Sequence, residues 1–144
     1  MRQRLPMMLI RIVVALIFIS EGLLKFIYPG ELGAGRFAHI GFMAPQILAP
    51  LVAIVEIVAG VAVLANFYTG QAALFLLAVI LTAIVSTKIP ILLGRPVAWF
   101  ALPKNVNHYG VLGFVHEART DLAMLFSLIA IALDSGVRGG RKTR

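Results

Sequence analysis

The sequence predicts an all-α fold, an integral membrane four-helix bundle with its N- and C-termini on the cytoplasmic side. Three observations carry that expectation. Of the 144 residues, 60% are hydrophobic and 13% charged, with a mean hydropathy of +0.97, whereas a soluble domain carries about 25% charged residues. Four apolar runs, at about 5–27, 46–67, 72–93 and 111–133, each reach the ~20 residues that a bilayer crossing needs. The terminal segments hold Arg2, Arg4, Arg138, Arg141, Lys142 and Arg144. The two long loops hold Arg36, Arg95 and Lys104, and an excess of flanking Lys and Arg marks the cytoplasmic side.

Residues 1–144 therefore read as a single membrane domain with a basic C-terminal tail at 135–144. The net charge of +7 is assigned to orientation and attraction to anionic lipid, not to nucleic acid. No cysteine is present, which excludes disulfides and thiolate metal ligation by this chain alone.

The first run exceeds the 7–15 residues of a signal-peptide core and ends in Lys25-Phe-Ile-Tyr-Pro29, a helix terminus without a cleavage site. Along it Arg11, Phe18 and Lys25 recur every seven residues, with Glu21 one turn before Lys25. This stripe faces protein or a cavity, since lipid-facing positions are apolar. Arg11, near the cytoplasmic end, is expected to snorkel. Gly30 to Pro45 reads as an external loop in which Phe37, Ile40, Phe42 and Met43 allow an interfacial half-helix. The second helix carries Glu56 near its middle on a face shared with Ala49, Ala53 and Gly60, small residues that permit close helix approach. Gly70 is the expected break before the third helix, which Pro90 bends or ends just after Lys88. A second external loop, Gly94 to Gly110, precedes the fourth helix, and that helix is expected to stop before Asp134-Ser-Gly136.

The fourth helix opens on His116-Glu117-Ala118-Arg119-Thr120-Asp121. A charge at the bilayer centre costs roughly 2.5 to 3.5 kcal/mol on insertion scales. At about 100° per residue these side chains spread through roughly 200° of the helix, more than one neighbouring helix covers. Measured at ~1.5 Å per residue, Lys25, Lys88, His116 and Glu117 lie within roughly 8 Å of the loop ends, Glu21, Arg119 and Asp121 about 9 to 14 Å in, and Glu56 near the midplane. The charges collect in one half of the bundle. They predict a polar chamber open toward the external face, formed by Glu21, Lys25, Glu56, Lys88, His116, Glu117, Arg119 and Asp121. Four carboxylates face three cations there, so one negative charge is left over, and either His116 is protonated or one carboxyl is neutral; Glu56, the deepest and least paired, and His116 are the expected proton handlers. Buried ion pairs also serve simply to fix helix register. His39 and His108 are loop residues without metal-ligand spacing, and no metal site or built-in cofactor is expected.

The ordered set Arg11…Phe18-Ile-Ser-Glu21-Gly22-Leu-Leu-Lys25-Phe-Ile-Tyr-Pro29, Val55-Glu56-Ile-Val-Ala-Gly60, Thr87-Lys88-Ile89-Pro90 and His116-Glu117-Ala-Arg119-Thr-Asp121 resembles the DoxX family of small bacterial and archaeal membrane proteins, over nearly the whole chain. The resemblance implies a four-helix membrane bundle in the bacterial cytoplasmic (inner) membrane. It also implies links to quinone-coupled sulfur oxidation or to membrane complexes managing oxidative stress. Three functions follow. One is a membrane subunit of a redox system that binds a quinone and works with a soluble or membrane oxidoreductase partner, itself non-catalytic or quinone-interacting. Another is a structural or assembly subunit. The third is a small-solute or proton transporter. Homo-oligomerisation is left open.

Overall fold

The computed structural model describes residues 4–141, with side chains from 5 to 136. Arg2, Lys142 and Arg144 lie outside the described residues. Six α-helices follow in order: α1 Arg4–Ile27, α2 Ala34–Ile40, α3 Pro45–Ala65, α4 Thr69–Ala83, α5 Ile89–Leu93 and α6 Val111–Arg141. A π-helical turn at Ile84–Lys88 joins α4 to α5, so the two run as one column. The segments Leu5–Ile27, Pro45–Ala65 and Thr69–Leu93 are long and apolar enough to cross a membrane.

Packing follows the small residues. α1 lies on α3, α3 on α4, α4 on α6 and α6 on α1, closing a ring. The α3 face expected from Ala49, Ala53, Glu56 and Gly60 is the buried one, extended by Ala59 and Val63. Between lipid tails, apolar burial drives nothing by itself and association rests on close contact of this kind. The apolar core occupies the terminal half of the ring, with Val14, Val63, Ala73, Leu76, Leu128 and Ile131 fully enclosed. Leu16, Leu51, Val58, Phe75, Phe126 and Leu133 are exposed around the outside, an apolar girdle far too extensive for a soluble monomer.

Several boundaries differ from the sequence expectation for identifiable reasons. The α3–α4 reversal is made by Asn66 and Tyr68 in the left-handed region, at φ 57° and 45°. Gly70 lies inside α4, where an added Cβ would stand 3.3 Å from the side chain of Ser135; it is a close-approach site for α6, not the break. Pro90 does not end its helix. Its ring would clash with the carbonyl four residues back, and the wider π turn relieves this by letting the Ile89 N–H reach back five residues to the Ile84 carbonyl. α6 continues through Asp134-Ser-Gly136 to Arg141, so most of the expected tail is helical. The extension carries Gly136, Gly139 and Gly140, each costing about 1 kcal/mol relative to alanine, and the Ser135 contact supports its start.

Arg11 does not snorkel outward. Its Nε and Nη2 donate to the Val63 carbonyl at 3.0 and 2.8 Å, satisfying the C-terminal end of α3. The Val63 carbonyl also accepts from the Asn66 N–H at 3.3 Å, so Arg11→Leu removes the charge-assisted bonds without orphaning it and is expected to lower stability by about 1.5–3 kcal/mol, read as a lower melting temperature of the purified protein in detergent.

Candidate functional site

Above the apolar core, the loop-side half of the ring encloses a cavity of about 530 Å³. That size is typical of small-molecule sites. Phe18, Ile80 and Met124 form its floor, belonging at once to the core and to the cavity lining. The polar wall begins with α1, which Gly22 brings so close to α3 that a Cβ there would stand 2.7 Å from the Ala53 carbonyl oxygen. One turn further along, Lys25 Nζ donates to Glu56 Oε2 at 2.7 Å. The two side chains are 10% and 5% exposed, and a charge-assisted bond this short and dry is strong. Lys25 Nζ also lies 3.7 Å from Glu21 Oε2, so two carboxylates share one ammonium. Glu56 is therefore not the least paired of the acids, contrary to the reading from depth alone.

The second ion pair depends on the π turn. Because that turn is wider than an α turn, the consecutive residues Ser86, Thr87 and Lys88 all line the cavity. Lys88 Nζ meets Asp121 Oδ2 of α6 at 3.3 Å. The two hydroxyls are occupied locally, donating to the Ala83 carbonyl at 3.4 and 2.6 Å. Among the described residues no buried side-chain nitrogen or oxygen lacks a hydrogen-bond partner.

Six of the eight residues expected in the chamber thus line one cavity: Glu21, Lys25, Glu56, Lys88, Glu117 and Asp121. His116 and Arg119 do not. Both are exposed, and Arg119 Nη1 donates to the His116 carbonyl at 2.8 Å and lies 3.0 Å from its Nδ1. Of the motif, only Glu117, Thr120 and Asp121 border the cavity, and Ala118 is buried against the neighbouring helices.

The first loop contributes more than its sequence suggested. Arg36, Phe37, Ile40 and Phe42 also line the cavity, so α2 is a cover laid over the chamber. Gly41, at φ +104°, ends α2 and leaves no room for a Cβ against the Trp99 carbonyl. The Ala101 N–H donates to the Ile40 carbonyl at 2.9 Å, and the rings of Phe42 and Phe100 stand 5.2 Å apart, edge to face. The two loops therefore form one layer. The i, i+3 spacing of Phe37 and Ile40 was the available signal; the partner loop was not visible in it.

The DoxX family model matches residues 7–89. The chain belongs to the DoxX family. The matched stretch includes both lysines and Glu56, and it ends before the motif that opens α6. An uncharacterised membrane protein of Mycobacterium tuberculosis is 44% identical to this DoxX chain over 120 residues, 83% of this chain and 69% of the relative. No solved structure matches it.

Proposed function

We propose that this DoxX-family membrane protein is a quinone-binding subunit of a redox or oxidative-stress system in the bacterial cytoplasmic membrane, serving an oxidoreductase partner that supplies the electrons. In this reading α6 spans the bilayer beside the other three columns, and the Lys and Arg bias of the sequence places the termini in the cytoplasm and the chamber in the external half.

The observation that carries the proposal is the two-sided chemistry of the cavity. Two ammonium–carboxylate pairs border it from different sides of the ring, Lys25–Glu56 between α1 and α3 and Lys88–Asp121 between the π turn and α6, while Phe18, Phe37, Ile40, Phe42, Val52 and Val79 supply apolar surface around them. A quinone ring needs donors for its two carbonyl oxygens, which the ammonium groups provide. Its reduced form needs acceptors for two hydroxyls, and the adjacent carboxylates provide those. Both redox states therefore find hydrogen-bond partners without moving a helix. Reduction consumes two protons with the two electrons, and Glu56 and Asp121 are the groups placed to pass them.

A structural reading has its own support, since both lysines already have carboxylate partners and such pairs fix helix register. Quinone binding to the detergent-purified protein separates the two. The expected result is a saturable thermal shift with quenching of Trp99, the only tryptophan, which lies beside Phe100 in the loop layer. Both signals should weaken in Glu56→Gln and Asp121→Asn. If no quinone shifts the wild type and the variants are merely less stable, the charges serve assembly and the quinone proposal falls.

A further inference from the structure

The cavity has a side as well as a top, and the two are built differently. At the loop end it is covered by α2, which is backed by the tight turn Val97–Phe100 and fastened through the Ala101–Ile40 hydrogen bond and the Phe42–Phe100 ring contact. Around the ring, α1 and α6 make the thinnest of the four helix contacts. At that seam Glu21 of α1 lines the cavity yet keeps half of its side chain, 50%, exposed. Thr120 of α6 also lines the cavity and is exposed; Thr82 of α4 is likewise exposed at the lining, but no lining residue of the neighbouring α3 is, so only the α1–α6 seam is exposed from both sides. Two side chains on facing helices that border one cavity and still reach the outside mark a mouth between them.

A carboxylate exposed on a membrane-spanning helix is costly against lipid tails. It is tolerable where it lies at the rim of a polar opening. The covered top and the open seam together say where a ligand enters, and an entrance facing lipid says what kind of ligand it is.

We propose that the chamber loads sideways from the bilayer through the α1–α6 seam, taking an amphiphile whose polar headgroup rests against the two ion pairs while its apolar chain stays among the lipids. The inference rests on the reading of the cavity as a ligand site and names the class of ligand by its route. The headgroup lies between the Lys25–Glu56 and Lys88–Asp121 pairs; the chain leaves past Thr120. A small hydrophilic solute would instead have to pass under α2.

The natural absence of cysteine makes the test clean. Ala83→Cys places one thiol on the cavity wall, and Met43→Cys places one at a position 80% exposed in the loop. Both variants are reconstituted in lipid vesicles and treated with a lipophilic aryl maleimide or a membrane-impermeant quaternary-ammonium maleimide, each equilibrated on both membrane faces. Every rate at position 83 is divided by the same reagent's rate at position 43. The lipophilic ratio is expected to exceed the impermeant one by at least about tenfold, equivalent to roughly 1.4 kcal/mol in the access barrier. Adding Thr120→Trp, which plugs the seam from an exposed position, should slow lipophilic labelling, whereas Phe100→Ala, which loosens the cover, should leave it unchanged. Thr120→Leu is the smaller plug if the tryptophan variant does not fold.

Impermeant reagent entering as fast as the lipophilic one, or labelling that responds to Phe100→Ala and not to either plug, would overturn lateral loading. Because labelling needs no quinone, the two proposals fail separately. Lateral labelling that no quinone protects against supports the entrance and removes the quinone. Quinone protection combined with aqueous entry keeps the quinone and removes the entrance.

Discussion

Lys25→Met is expected to destabilise the protein by about 3 to 5 kcal/mol, the range found when one partner is removed from a buried ion pair. The methionine fills most of the lysine stem's volume, so packing changes little. What changes is Glu56, which sits 4% exposed on the inner face of α3 and loses the ammonium 2.7 Å away. Glu21 cannot compensate, being an acid itself. Glu56→Gln should cost less, because Lys25 keeps Glu21 at 3.7 Å and a neutral amide is easier to bury than a lone carboxylate. The double variant should recover most of the loss, since two uncharged side chains leave nothing unpaired. Unfolding of all three variants in a mild detergent measures this directly. If Lys25→Met melts with the wild type, or the double variant is as unstable as the single one, the pair does not hold α1 to α3.

The difference between what was legible in the sequence and what was not follows the range of the interactions. The helices α1 and α3 and the inward face of Ala49, Ala53, Glu56 and Gly60 come from periodicity within one segment, and they were readable. The gathering of Glu21, Lys25, Glu56, Lys88, Glu117 and Asp121 around one cavity was readable from depth, because an antiparallel arrangement brings residues near the same loop ends together. Pairing was not, since whether Lys25 reaches Glu56 or only Glu21 depends on how closely α1 approaches α3. The π turn escaped because a proline reads from sequence only as a bend or an end, and only the tertiary support of α6 against α5 makes a widened turn preferable to a break. The cover escaped for the same reason: Ile40 and Ala101 are joined by a backbone hydrogen bond, which leaves no mark on residue type.

The two halves of the ring divide the labour between stability and chemistry. Leu76, Leu128, Ile131 and Val63 close the terminal half with apolar side chains. The loop half keeps an open space of about 530 Å³ and holds its helices by ion pairs instead. Removing packed atoms for a cavity lowers stability, and the charged pairs offset little of that after their desolvation. The dry half is therefore what allows the polar half to stay open, and substitutions that part the helices should damage both together.

Gly22→Ala is the sharpest test of that coupling, because it adds one carbon at the tightest helix contact beside the chamber. The new Cβ would stand 2.7 Å from both the Ala53 carbonyl oxygen and Ile57 Cγ1, and 3.3 Å from Glu56 Cβ. Backbone oxygen cannot swing aside as a side chain can, so α1 must move off α3. Overpacking of this kind costs about 1–3 kcal/mol, and the displacement also lengthens the Lys25–Glu56 bond less than one turn away. Gly136→Ala supplies the opposite expectation within the same protein. Nothing lies within 4 Å of a Cβ at Gly136 in α6, so alanine there meets no obstacle and gains up to about 1 kcal/mol of helix propensity. The two substitutions are chemically identical and should shift the melting temperature in opposite directions, with any ligand affinity of the chamber falling only in Gly22→Ala. Equal shifts of the same sign would mean that helix propensity, and not the close contact of α1 with α3, decides the stability of this ring.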